Sequence, residues 1–145
     1  MPIRDLLNPE SARTSSIALL LVRVAAGAML FPHGLYKLMG GVPAFAGALA
    51  SRGWPAPTVL AWSATLAELV GGALMVVGLF TRPAAAAAAV TMLVAWSTSH
   101  LADLPKIGRA GGSAFEYPFL LMMCALAIAI AGPGRYSLDA RVGRR

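Results

Sequence analysis

Four long apolar runs, separated by short polar or glycine- and proline-rich breaks, make up most of the chain. The first extends from Ser16 to Leu38 and is interrupted by Arg23, and the second, Thr58 to Phe80, carries Glu68. The third runs from Pro83 to Leu101 and turns polar at Ser97-Thr98-Ser99-His100, and the fourth covers Ala114 to Ala131. Each is close to the roughly 20 residues that cross a hydrocarbon layer as a helix. The breaks are equally legible. Thr81-Arg82-Pro83 is a tight turn with proline placed to open the next helix, and Gly132-Pro133-Gly134 is a firm stop. The runs are too long, and too rich in alanine, leucine and glycine, to be strands. No ten-residue alternation of the kind a membrane barrel needs is present. A secretory leader is excluded by Arg23, which leaves too short an apolar stretch before it, and by the three apolar runs that follow.

The pattern therefore predicts an all-α integral membrane protein built as a four-transmembrane-helix bundle. Its spans cover about 16–38, 58–80, 83–101 and 114–132 of a single membrane domain, 16–134, with a tail at 1–15 and a basic tail at 135–145. In the longest loop, 39–57, Pro43 opens a short helix that holds Phe45 and Leu49 four residues apart, followed by Arg52 and Trp54. That suits a segment lying at the interface against the mouth of the bundle. Gly71, Gly72 and Gly78 of the second run face the alanines at 84–89, so the second and third spans are expected to form the tightest hairpin.

Composition sharpens this picture. Of 145 residues, 58% are hydrophobic and only 12% charged, with a mean hydropathy of +0.71, about half the charge a soluble domain uses to cover its surface. The net charge of +6 would raise the question of nucleic acid in a soluble protein. Here the basic residues flank apolar runs without interleaved aromatics, so they read as topology signals and no nucleic-acid partner is expected. One side of the four-span arrangement holds Arg4, Arg13, Arg82, Arg135, Arg141, Arg144 and Arg145, and the other holds Lys37, Arg52, Lys106 and Arg109. The excess places both termini in the cytoplasm. The single thiol, Cys124, can form neither an internal disulfide nor a CxxC pair.

Ionisable residues at membrane depth carry the most information, because each costs about 2.5–3.5 kcal/mol to insert. Two readings of Arg23 stand side by side: it snorkels to the cytoplasmic headgroups, or it forms a buried ion pair with Glu68. Glu68 is short and central, so it must pair, hydrogen-bond, line water or stay protonated. Toward the outer face, His33 and Lys37 are four residues apart on one side of the first helix. Pro32 beside them is expected to bend that helix. His100 and Glu116 come to the same level at the ends of the third and fourth spans. His33, Lys37, His100 and Glu116, with Glu68 beneath, form a candidate polar pocket; ordinary helix-end polarity is the competing explanation. Two histidines on different helices without a clear third ligand do not make a metal site. No phosphate-binding loop, nucleophile elbow or dinucleotide fingerprint occurs.

Four stretches in order resemble the DoxX family of small bacterial membrane proteins. They are Arg23-Val24-Ala25-Ala26-Gly27 through Pro32-His33-Gly34-Leu35-Tyr36-Lys37-Leu38; Phe45 to Gly53-Trp54-Pro55-Ala56-Pro57; Glu68-Leu69-Val70-Gly71-Gly72 leading to Gly78-Leu79-Phe80-Thr81-Arg82; and Glu116-Tyr117 through Gly132-Pro133-Gly134-Arg135-Tyr136-Ser137-Leu138-Asp139. The resemblance implies four spans in the bacterial cytoplasmic membrane. It also implies association with redox assemblies, since some members are subunits of thiosulfate:quinone oxidoreductases and others accompany oxidative-stress enzymes. On that basis the expected function is a membrane subunit of a redox assembly, with quinone as the candidate cofactor and redox enzymes as candidate partners. No self-contained catalytic motif is present. A noncatalytic scaffold that recruits partner enzymes is the alternative. A small-molecule permease is a third reading, which would require a homo-oligomer because four spans make a thin pathway.

Overall fold

The computed structural model describes residues 9–106 and 114–143, all of whose regular structure is helical. Helix α1 (Pro9–Gly40) runs unbroken through Pro32 and starts before the first apolar run, inside the segment expected to be a tail. Short α2 (Val42–Ala50) carries a proline in its first turn. Then come α3 (Pro57–Val77), α4 (Thr81–Ala95), α5 (Glu116–Ala131) and the short α6 (Leu138–Val142). Beyond α4 the chain continues as a π-helical turn, Trp96–His100, and a 3-10 stretch, Leu101–Lys106. Among the described residues, Thr14–Gly40 and Pro57–Val77 are long and apolar enough to cross a membrane, and Glu116–Ala131 is a shorter apolar helix.

The four longer helices pack in a ring, α1 on α3, α3 on α4, α4 on α5 and α5 back on α1. Their shared core mixes alanines with larger apolar side chains: Ala26, Leu30, Met75, Ala85, Ala88, Met92, Leu121, Ala125 and Ile128. Outside, large apolar side chains such as Leu21, Leu66, Val90, Leu120 and Ile130 are exposed, the surface expected where lipid replaces water. Trp96 at the end of α4 packs on Phe115 and Phe119 at ring-centroid distances of 5.4 and 5.7 Å.

The closest helix crossing differs from the one expected. A Cβ on Gly27 would lie 2.6 Å from the Gly72 carbonyl oxygen, one on Gly72 would lie 2.8 Å from the Phe31 nitrogen, and one on Gly34 would land on the Leu69 backbone. The tightest pair is therefore α1 and α3, not α3 and α4. Glycine against glycine removes both Cβ atoms from the interface, whereas the alanines of α4 keep theirs and hold α3 further off. Only Gly71 faces α4, with room for a Cβ 3.5 Å from the Ala84 carbonyl.

The closing segment docks onto the α3–α4 turn. Ser137 caps α6, accepting from the Ala140 N–H at 3.1 Å. The Asp139 N–H donates to the Gly78 carbonyl at 2.9 Å. The Asp139 carboxylate in turn accepts from the Phe80 and Thr81 N–H groups at 2.8 and 2.9 Å. Those donors belong to the start of α4, where unsatisfied N–H groups and the helix dipole favour an anion.

Candidate functional site

Glu68 lies in the middle of α3, 2% exposed, and Lys37 reaches it from the last turn of α1. The Lys37 ammonium donates to both carboxylate oxygens, at 2.5 and 2.6 Å. Two opposite charges this close in a poorly hydrated setting are far less costly together than either alone. The same ammonium sits 5.0 Å from the centre of the Phe45 ring, a cation–π contact that ties α2 to the pair.

This corrects the expected partnership of Arg23 with Glu68. Arg23 is 1% exposed, and its Nη2 donates to the Tyr136 carbonyl at 2.7 Å. It faces the closing segment at the other end of the bundle, so it neither pairs with Glu68 nor snorkels into solvent. Gly78 makes room for it: φ there is +72°, and a Cβ would fall on the Arg23 guanidinium. Arg23 also lies near enough to Asp139 to favour that carboxylate. Burial pushes the Asp139 carboxyl up, but the Thr81 and Phe80 N–H groups and the Arg23 charge outweigh it and hold the group below its ordinary value of 3.8.

Above Glu68 a cavity of about 340 Å³ opens between the diverging ends of α3 and α4. Lys37 and Glu68 form its polar base. Phe45, Leu49, Trp54, Leu60, Val90 and Val94 supply apolar and aromatic walls, and Arg52, Thr98, Ser99 and His100 stand at the mouth. Arg52 Nη1 donates to Ser99 Oγ at 3.1 Å, joining the loop after α2 to the end of α4. His100 Nδ1 is 4.0 Å from Asp103.

Of the five residues expected to share a pocket, Lys37, Glu68 and His100 line this cavity; His33 and Glu116 do not. His33 is exposed and packs against Tyr117 with the rings tilted by 37° and their centroids 5.2 Å apart. The Tyr117 hydroxyl donates to the Met29 carbonyl at 3.4 Å, one residue from the carbonyl that Pro32 deprives of its helical donor. Glu116 is exposed at the start of α5. Both residues occupy the α1–α5 side of the ring, whereas the cavity lies on the α3–α4 side. Shared depth does not imply shared azimuth.

Arg52, Ser99 and Thr91 were not expected in the site. The clue to Arg52 was the pattern that placed Phe45 and Leu49 against the bundle mouth, since whatever covers a mouth also lines it. Among the described residues no group of three or more His, Cys, Asp or Glu side chains could hold a metal ion.

The family whose model matches is DoxX, over residues 18–101. Among curated relatives, the protein named "Putative oxidoreductase CatD" from Bacillus subtilis (strain 168) is 32% identical over 129 residues, 88% of each chain. The protein named "Uncharacterized membrane protein Rv3486" from Mycobacterium tuberculosis is 27% identical over 135 residues, 88% of this chain and 83% of that one. No solved structure matches significantly. The matched region takes in most of α1 and all of α2 to α4, and with them Lys37, Glu68 and the whole cavity; the chain belongs to the DoxX family of membrane proteins.

Proposed function

We propose that this chain is a four-span protein of the bacterial cytoplasmic membrane, with both termini cytoplasmic, that serves as the membrane subunit of a redox assembly. In this reading its cavity presents a quinone head group to a partner enzyme. The observation that carries the proposal is a charged pair, Lys37 and Glu68, at the base of an otherwise apolar and aromatic cavity of about 340 Å³. That combination of apolar walls with a few fixed polar groups is typical of small-molecule sites. A quinone ring needs apolar faces around it, hydrogen-bond donors at its carbonyls and a route for protons. Lys37 has three N–H donors and commits two to Glu68, leaving one for a carbonyl. Glu68 is placed to pass a proton, while the partner enzyme supplies the electrons. The oxidoreductase name of the Bacillus subtilis relative points the same way. Topology gains support too, because Lys37 turns inward and leaves Arg52, Lys106 and Arg109 as the basic residues of the outer side.

The test is to purify the full chain in detergent, extract and identify any bound quinone, and titrate a quinone analogue. Wild type should bind, and Lys37→Ala should weaken binding at least tenfold. Absence of binding, with partner-linked redox activity unaffected by Lys37→Ala, would replace this proposal with the noncatalytic scaffold.

A further inference from the structure

We infer that the cavity is loaded sideways from the bilayer, through the gap between α3 and α4. Its ligand is then a two-part molecule: a compact polar head seated at Lys37 and Glu68, and a hydrocarbon tail lying out between the helices. This deepens the proposal above and rests on the cavity being a ligand site.

Three observations carry it. First, α3 and α4 approach at their turn, where Gly71 faces the Ala84 carbonyl, and part toward the other end, where the cavity lies. The rim of that gap is apolar and outward-facing: Val90 is 61% exposed and Val94 is 42% exposed. Val90 stands ten residues before His100, so about 15 Å of helix separates it from the end of that segment. An opening at that level faces hydrocarbon rather than water. Second, the polar side chains along this edge of α4 are satisfied within their own helix. Thr91 Oγ1 donates to the Ala87 carbonyl at 3.0 Å and Thr98 Oγ1 to the Val94 carbonyl at 2.6 Å. The gap can therefore meet a lipid chain without leaving a hydroxyl donor unpaired. Third, the end nearest water is strapped by α2 and by the Arg52–Ser99 hydrogen bond. A water-borne ligand would have to displace that strap, whereas a membrane-borne one would not.

The test uses the full chain in lipid nanodiscs, a decyl-tailed benzoquinone, and the same ring without a tail. Val90→Trp, which fills the gap from an exposed position, should slow association of the tailed compound at least tenfold. Val77→Trp, exposed on α3 away from the cavity, should leave the rate within twofold. Independently, a phospholipid with a diazirine in its acyl chain should photolabel the cavity wall at Leu60 and Ala64 in wild type, and Val90→Trp should suppress that label. The inference is overturned if Arg52→Ala, rather than Val90→Trp, changes the rate for the tailed compound, or if the wall goes unlabelled. If neither compound binds wild type, the quinone reading fails, and the photolabel still decides whether the cavity opens to lipid.

Discussion

Lys37 holds both carboxylate oxygens of Glu68 across a sequence separation of 31 residues, at 2.5 and 2.6 Å, with Glu68 almost wholly buried and the lysine partly open to the cavity. The pair fastens the outer end of α1 to the middle of α3 and also furnishes the polar base of the cavity. Removing one partner strands a charge in a place that cannot hydrate it, at a typical cost of about 3–5 kcal/mol. Lys37→Ala and Glu68→Ala should each destabilise the protein by that order, and the double variant should lose clearly less than their sum. The check is a double-mutant cycle on unfolding in mild detergent. Strict additivity would dissolve the pair.

Arg23 and Glu68 share no partner, so Arg23→Ala combined with Glu68→Ala should be additive to within about 0.5 kcal/mol. Arg23 is coupled instead to Gly78, whose missing side chain leaves the space its guanidinium fills. Gly78→Ala should be severely destabilising, because it adds left-handed backbone strain of about 1 kcal/mol to a collision with a buried arginine. In an Arg23→Ala background the collision disappears and only the strain should remain. Thermal melts of the two single variants and the double variant decide it; equal costs of Gly78→Ala in both backgrounds would show that the arginine can move aside.

Asp139 ties the closing segment to the start of α4, and its depressed carboxyl makes that tie sensitive to acid. A carboxyl whose folded value lies below its ordinary 3.8 contributes stability fully above that value, and the contribution is lost as pH falls through the folded value. Wild type should therefore hold this contribution from neutral pH down to about pH 4 and lose it below. Asp139→Asn should be less stable by about 2 kcal/mol at pH 7, since two charge-assisted hydrogen bonds weaken. The gap between variant and wild type should close below about pH 4. A gap that persists unchanged at low pH would mean the contribution is not ionic.

Much of this molecule can be read from hydrophobic runs and their punctuation, because lipid forces every backbone group into a helix and the breaks must be chemically explicit. The helix around Phe45 and Leu49 announced itself through Pro43 and its spacing. Glu68 stood out because a carboxylate amid apolar residues demands a partner. Its partner did not stand out. Arg23 and Lys37 lie fourteen residues apart on nearly the same face of α1, about 21 Å along its axis, so the axial register of α1 against α3 chooses between them. That register is set by Gly27, Gly34 and Gly72, three single-atom absences whose meaning depends on what lies opposite. His33 and Glu116 were misplaced for a different reason. Periodicity gives a residue its height on a helix, but its direction within a bundle is a tertiary fact.

Topology is open to direct measurement. With both termini cytoplasmic, a cysteine at Ile3 and one at Ala110 should label from opposite sides of intact cells in a Cys124→Ala background. An impermeant thiol reagent should reach only the second. Reaction of both positions from outside would overturn the four-span arrangement with inside termini.

The glycine contacts between α1 and α3 join packing to the site, and Gly34 is where they can be tested together. It stands one helical turn before Lys37, and a Cβ there would land on the Leu69 backbone, immediately after Glu68. Backbone cannot yield as a flexible side chain can, so Gly34→Ala must push α1 away from α3. Overpacking of this kind costs about 1–3 kcal/mol. The displacement should also lengthen the Lys37–Glu68 contact, so ligand binding at the cavity should weaken together with stability. Gly47 provides the contrast. It lies within α2 with nothing close to where its Cβ would go, and Gly47→Ala should be neutral or stabilising, by up to about 1 kcal/mol, because alanine loses less backbone entropy in a helix. Melting temperatures and analogue titrations on the two variants give the answer. If Gly34→Ala melts like wild type and binds as wild type does, α1 and α3 are not in the close register that positions Lys37 over Glu68.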